Sequence, residues 1–528
     1  MPSPSFNDTF VKNGVIQPFP VYKNGLNVAI LGNSIISQAA CLNNVNAGVG
    51  WSAGQVYATS AVGYPQIHDY SGGVQAIKWV ATTGGTTGAT EPNWKWSDPV
   101  GTTYTDGTVV WTAQAETATP FASYSWGFWT MAQALSGQLL NEWCVVGASG
   151  KQSDVILSYL PRVMATNPDV VAFFALFEND CAPGAAPNLT TIATRWDAFV
   201  VAADSVRAVG KRVMVSTVLP SGNIDSSSAF TGYSAGNGTK AWMWLNQKIR
   251  EYARARQDVI LWDCSQVYID SNVANPVYPE NSTTFTSAAG TGQALKYTDG
   301  IHPEKNAGWK LAKTLAPILT ANFPSRQIFN PAGDTWQISP NPLNFGTAGT
   351  KTANIGSGTS PTLLTSDAFG STAGSTSVGP VTRTDINGNW NQIIGVAAAA
   401  ASGDALSVTC TANQNLGAFA VGDLVQSYSE IKILANPTLL TTPQLQLRFF
   451  GAASQWAYNY SYATNQQDQA ASFTSDTTLI LKTPPVFIPT GTTTINLFNR
   501  AAWRGAATVT AQFGRMAVNL VVPKTTPV

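Results

Sequence analysis

The sequence predicts an α/β domain built on a parallel sheet, carrying a small inserted β module and followed by a C-terminal β-sandwich of jelly-roll type. Three observations carry that expectation. From about Asn27 to Phe323, short apolar runs alternate with stretches of helical period, the alternation a parallel sheet covered by helices requires. Between Gly63 and Pro120 the rhythm stops, and the chain becomes dense in Gly, Thr and Trp. Beyond Phe323 a proline-containing linker leads into Thr/Ser/Gly-rich sequence with alternating apolar residues and almost no helical pattern, which suits short antiparallel strands.

The strands of the α/β region are expected at Asn27 to Leu31, Trp143 to Val146, Val170 to Leu176, Arg212 to Val218 and Val259 to Trp262. Helices are expected at Ser153 to Met164, Leu189 to Val209, Lys240 to Arg256 and Glu304 to Asn322. In the last, Leu311, Ala312, Leu315, Ile318 and Leu319 recur at helical spacing and form one apolar face. Pro303 suits a first helical turn, which places His302 at the mouth of that helix. Within the insertion, a Thr-Thr-Gly-Gly-Thr-Thr-Gly run followed by Glu91-Pro92-Asn93-Trp94 and by Thr105-Asp106-Gly107-Thr108-Val109-Val110-Trp111 reads as short strands joined by tight turns. The resulting division is an N-terminal segment (1–26), an α/β domain (27–323) with the module at about 63–120, a linker (324–345) and the sandwich (346–528).

Composition excludes several classes. Across 528 residues only 11% are charged and the formal net charge is zero, so no basic surface is expected for nucleic acid. The longest apolar run, Val170 to Phe177, is too short to span a bilayer, and the first residues carry no signal-peptide pattern. Five scattered cysteines without a Cys-x-x-Cys pair point to free buried thiols rather than to zinc or a disulfide framework. No cofactor is expected. Seventeen tryptophans and sixteen tyrosines in a polar background suit sugar binding, since an aromatic face packs on a pyranose while amides and hydroxyls bond its rim; about two-thirds of them are nonetheless expected in the core.

Hydrolysis of an ester by a serine needs an activated hydroxyl, a base, a group that orients the base, and donors for the oxyanion. The chain has two histidines. His302 follows Asp299 by three residues in Asp299-Gly300-Ile301-His302-Pro303, whereas His68 sits in the insertion beside Asp69 and reads as a surface or structural residue. The candidate nucleophile is Ser34, where the apolar strand Val28 to Leu31 runs into Gly32-Asn33-Ser34-Ile35. A strand-to-turn corner of this kind should leave the hydroxyl exposed, and Gly32 permits the sharp backbone path.

Gly32-Asn33-Ser34-Ile35 resembles the first block of the SGNH (GDSL-like) hydrolases, and Asp299-x-x-His302-Pro303 resembles their last. Val145-Val146-Gly147-Ala148-Ser149-Gly150 is similar to the second block and Phe177-Glu178-Asn179-Asp180 to the third, in family order. The resemblance implies an SGNH-type three-layer sandwich in which Ser34 is the nucleophile, Asp299 and His302 complete the triad, and Gly150, Asn179 and the Ser34 backbone N–H form the oxyanion hole. Two positions depart from the pattern: Asn33 stands where an aspartate is usual, and Phe177 where a glycine is usual. The first removes a charge beside the serine; the second could narrow the pocket or shift Asn179.

What the resemblance implies about activity is removal of O-acetyl or other small acyl groups from a polysaccharide. The Gly/Thr-rich module ending in Thr105-Asp106-Gly107-Thr108-Val109-Val110-Trp111 resembles segments of bacteriophage tail proteins, which suggests a tailspike or tail-fibre esterase acting on a bacterial surface polysaccharide. Such a protein would be made in the host cytoplasm, reside in the virion tail, form a homotrimer and contact other tail proteins. The alternatives are a binding-only receptor with an inactive site and a secreted bacterial acetylesterase acting on plant polysaccharide.

Overall fold

The computed structural model describes residues 9–12, 15–18, 25–36, 43–44, 49–70, 77–115, 122–124, 127–182, 188–220, 224, 237–267, 269, 303, 305–326, 328–329, 337–338, 341, 343–351, 355, 357–362, 364–369, 377–397, 404–410, 414–415, 419–435, 440–451, 455–461, 477–483, 485–503 and 507–521. Six strands make the sheet of the α/β part: β1 (Leu26–Asn33), β2 (Ile67–Asp69), β3 (Leu140–Ala148), β4 (Val170–Phe173), β5 (Arg212–Ser216) and β6 (Val259–Trp262). Their spatial order is β6-β5-β4-β1-β3-β2, parallel throughout except for β2, which runs antiparallel along the β3 edge.

Helices cover both faces, as the continuous apolar character of the strands demands. Alternate residues of β1 divide between two cores: Val28 and Ile30 face α1 (Phe128–Ser136) and α7 (Lys305–Asn322), whereas Ala29 and Leu31 face α2 (Ser153–Leu157), α3 (Leu160–Ala165), α5 (Leu189–Ala208) and α6 (Asn237–Arg254). The result is a three-layer α/β/α sandwich. α7 is tied to the sheet by Trp262, whose indole N–H donates to the Thr314 hydroxyl at 3.0 Å. The single helix expected over Ser153 to Met164 is two, because the chain turns at Ser158 and restarts with Pro161 in the first turn of α3. α1 and the short α4 (Glu178–Cys181) have no counterpart in the expectations above.

The tryptophan-rich stretch forms a five-stranded sheet from Val49–Gly50, Val62–Tyr64, Ile77–Thr83, Thr103–Asp106 and Val109–Ala115. It therefore begins before residue 63, and the Ile67–Asp69 segment inside it leaves to become β2 of the main sheet. Its tryptophans are interior: Trp51, Trp79, Trp94, Trp96 and Trp111 are all buried, so the aromatic residues expected to stack on sugar serve as its core. At the centre Asp106 accepts hydrogen bonds from the indoles of Trp51 (2.7 Å) and Trp111 (3.0 Å) and from the Gly88 N–H (2.8 Å).

The C-terminal part is a two-sheet β-sandwich. One sheet runs through Leu364–Phe369, Asp404–Cys410, Thr492–Trp503, Leu440–Gly451 and Gln455–Ser461; the other through Ser377–Thr382, Asn389–Ala397, Ala507–Leu520, Leu424–Ala435 and Thr477–Lys482. Leu406, Leu447 and Leu497 from the first meet Ile393, Leu481 and Phe513 from the second in a shared core. The chain order does not separate the parts cleanly, since Ala122–Tyr124, which precedes α1, pairs in parallel with Gln455–Ser461. Gln138 also donates to the Ile480 carbonyl at 2.5 Å.

Candidate active site

With β2 set aside, the sheet order is that of a doubly wound fold whose chain reverses direction of travel at β1, between β3 and β4. Ligands of such sheets sit outside the carboxyl ends of the strands at that switch point. Ser34 lies there, one residue beyond the end of β1. The loop with Gly150 follows β3, and α4 with Asn179 follows β4, so three of the four sequence blocks end on adjacent strands. Asp299 and His302 lie outside the described residues; the chain enters α7 at Lys305, three positions after His302.

Close backbone approach explains the glycine before the serine. A Cβ on Gly32 would stand 2.1 Å from the Phe174 carbonyl oxygen and 2.3 Å from the Ile36 side chain. Around it Phe174 N–H donates to Leu31 O at 3.0 Å and Asn33 N–H to Ala175 O at 3.1 Å. Ala175 adopts a left-handed φ of 48°, unfavourable for a residue with a Cβ, and its N–H donates to the Ser216 hydroxyl at 3.1 Å.

Ser34 is only 6% exposed, in contrast to the exposed hydroxyl expected at the corner. The physical reason is that the chain enters a helical turn at Ser34–Ile35, and Ile35 and Ile36 are drawn into the core. Asn33 shapes this turn: its Oδ1 accepts from the Ile35 N–H at 2.8 Å, while its Nδ2 donates to Glu178 Oε2 at 3.1 Å. Glu178 Oε1 accepts from the Leu219 N–H at 2.9 Å. Burial pushes the Glu178 carboxyl up to about 7.

The next two residues hold the Gly150 loop. Asn179 Nδ2 donates to the Lys151 carbonyl at 2.8 Å, which occupies one of its two amide hydrogens and leaves a second donor in the group. Asp180 Oδ2 accepts from the Ser153 N–H at 3.1 Å and Oδ1 from Arg195 at 2.6 Å. Burial raises the Asp180 carboxyl to about 6 against the pull of Arg195. Gly150 itself is exposed with φ at +69° and open space where a Cβ would stand. Hydrogen bonds thus link Ser34's neighbour to Asn179's neighbour, and Asn179 to Gly150's neighbour.

Phe177 carries its ring into the core of the α/β part. Its ring is buried among the helices, 5.6 Å from Phe199 and 6.3 Å from Trp196 by centroid. His68 is half-buried in β2, stacked 5.9 Å from Trp96, whose indole N–H donates to its Nδ1 at 3.2 Å. Burial holds it down to about 4, so it is a neutral structural residue whose proton sits on Nε2. Cys144, Cys181 and Cys264 are buried, and no described helix is long and apolar enough to cross a membrane.

No family model matches this chain, and no curated protein does. Among solved structures, the chain is similar to a putative G-D-S-L lipolytic protein from Desulfitobacterium hafniense DCB-2 at 17% identity, over 36% of this chain and 87% of that one, with a TM-score of 0.25. A second likeness is to the enzymatically active domain of bacteriophage CBA120 tailspike protein 4, at 13% identity over 30% of this chain and 20% of that one, TM-score 0.21. A third is to a xylan-binding domain from CBM 22, at 13% identity over 31% of this chain and 92% of that one, TM-score 0.20.

Proposed function

We propose that this protein is a serine esterase of SGNH type that removes O-acetyl or other small acyl groups from a bacterial surface polysaccharide as part of a phage tailspike or tail fibre. The observation that carries the reading is the convergence of Ser34, Gly150 and Asn179 at the carboxyl ends of three adjacent strands, at the switch point of the sheet. Ser34 attacks the acyl carbonyl. His302, oriented by Asp299, takes the Ser34 proton and returns it to the departing sugar hydroxyl, and the Ser34 and Gly150 backbone N–H groups with the Asn179 amide receive the oxyanion. Water then hydrolyses the acyl-enzyme by the same proton transfers.

The low charge of the chain and the C-terminal β-sandwich support a glycan over a nucleic acid as the partner. In the tail setting the chain assembles as a homotrimer beside other tail proteins. The test is mass spectrometry of acetylated capsule or O-antigen before and after treatment: loss of acetyl masses with the backbone intact is expected, and shortened chains would mean a glycosidase or lyase. Persistence of the acetyl loss in Ser34→Ala would remove Ser34 from the chemistry.

A further inference from the structure

The candidate nucleophile is flanked by a buried polar junction that its own block does not account for. Asn33 is 1% exposed and Glu178 3%, and each of the Asn33 side-chain atoms has one assigned partner: Oδ1 takes the Ile35 N–H, Nδ2 gives to Glu178 Oε2. Turning the amide over would set Nδ2 against the Ile35 N–H and Oδ1 against a carboxylate oxygen, two donors in one place and two acceptors in the other. The orientation is therefore dictated by its partners. Glu178 in turn is anchored from a third segment, the Leu219 N–H beyond β5. A single carboxylate thus joins the end of β1, the start of α4 and the segment after β5.

We propose that Glu178 is a positioning residue for Ser34: by holding the Asn33 amide it keeps Asn33 Oδ1 on the Ile35 N–H and so fixes the backbone on both sides of the serine. The inference rests on Ser34 being the nucleophile. Position 33, where the resembled family carries an aspartate, is neutral here, and the carboxylate stands across the hydrogen bond at position 178. The two positions form a complementary donor and acceptor pair with the ionisable group on the far member.

That arrangement has a reciprocal test. In Glu178→Gln the new amide must keep its oxygen on the Leu219 N–H, which turns its NH2 toward the NH2 of Asn33. In Asn33→Asp two carboxyl groups face each other across a hydrogen-bond distance and cannot both ionise, so the contact holds only while the pair shares one proton and is lost at alkaline pH. The exchanged double variant Asn33→Asp/Glu178→Gln restores complementarity. Its carboxylate, now at position 33, accepts from the Ile35 N–H and from the amide at position 178, and the oxygen of that amide still accepts from the Leu219 N–H.

The experiment measures kcat and KM for p-nitrophenyl acetate on the full chain, per site titrated by a fluorophosphonate, alongside thermal melting. Glu178→Gln should lose on the order of 10- to 100-fold in kcat, as for a slightly displaced reacting group, with KM little changed, and Asn33→Asp should lose as much only at alkaline pH, where its carboxyl pair can no longer share a proton. The exchanged pair should recover kcat to within about threefold of wild type, the non-additivity expected of directly coupled residues. Wild-type kcat in Glu178→Gln, or an exchanged pair that folds and is no better than the worse single, would overturn the inference. If a single variant fails to fold, the exchanged pair alone decides by the same criterion. Wild-type hydrolysis that persists in Ser34→Ala would instead overturn the esterase reading itself.

Discussion

Two buried glutamates, one beside Ser34 and one in the tryptophan-rich module, are pushed to about the same pKa for the same leading reason and serve different ends. Glu178 and Glu91 are both raised to about 7 by burial. Glu178 bonds through both oxygens to segments distant in sequence, Asn33 and Leu219. Glu91 gathers local contacts on one oxygen, from the Gln66 N–H and the Trp94 indole at 2.8 Å each, while its Oε2 is buried without a hydrogen-bond partner. A perturbed carboxyl is thus no mark of a site by itself; what distinguishes the Ser34 corner is which strands the carboxyl joins and what stands beside it.

If that distinction is right, the corner should answer substitution in activity and the module in stability. The largest effect is Ser34→Ala, which should cut kcat by at least ~10³-fold with little change in melting temperature, as removal of a nucleophile does; p-nitrophenyl acetate turnover beside a melting curve checks both halves. Asp106→Ala should do the reverse. It leaves two buried indole N–H groups and the Gly88 N–H without their acceptor, which should cost about 3 to 5 kcal/mol of stability, measured by denaturant unfolding, while activity per folded molecule holds.

The two glutamates can be separated by pH. A carboxyl raised in the folded state contributes stability that is complete below its unfolded pKa, near 4.5, and is lost as pH rises through about 7. Ionisation of Glu91 should therefore take stability from the wild type between about pH 5 and 8, and Glu91→Gln should remove about 3 kcal/mol of pH-dependent loss relative to wild type, leaving the combined slope of Glu178, Asp180 and His68. Equal slopes in wild type and variant would place the ionisation of Glu91 elsewhere. The smallest effect expected is that of Gly32→Ala, about 1 to 3 kcal/mol of overpacking. It should also reduce activity, because the intruding Cβ presses on the Phe174 carbonyl at 2.1 Å and moves the strand end that carries Ser34.

How much of this could be read from the residues alone follows the range of the interactions. Strand β6 occupies the expected residues and α5 and α7 end or begin within one residue of expectation, because apolar runs and helical spacing are local signals. α1 escaped because it is only nine residues long and its polar Thr130 and Gln133, though spaced three apart, are buried with the apolar residues around them, so the stretch is too short for its period to stand out. The role of the module's tryptophans was open for a related reason: composition does not say whether an indole faces solvent, and here Asp106 supplies the buried acceptor that lets two of them turn inward. At the site, the motif spacing pointed to Ser34, Gly150 and Asn179, whereas the Asn33–Glu178 bond joins residues 145 positions apart and has no signature in either block. Ser34's burial was likewise invisible, since it depends on where Ile35 and Ile36 pack.

The most direct test of the account is to treat the intact protein with a fluorophosphonate and locate the adduct by peptide mass spectrometry. A single phosphonyl group on the peptide containing Ser34, absent from Ser34→Ala and formed far more slowly in His302→Ala, is the predicted result. An adduct on another residue, or ester hydrolysis undiminished by the reagent with Ser34 unmodified, would contradict it.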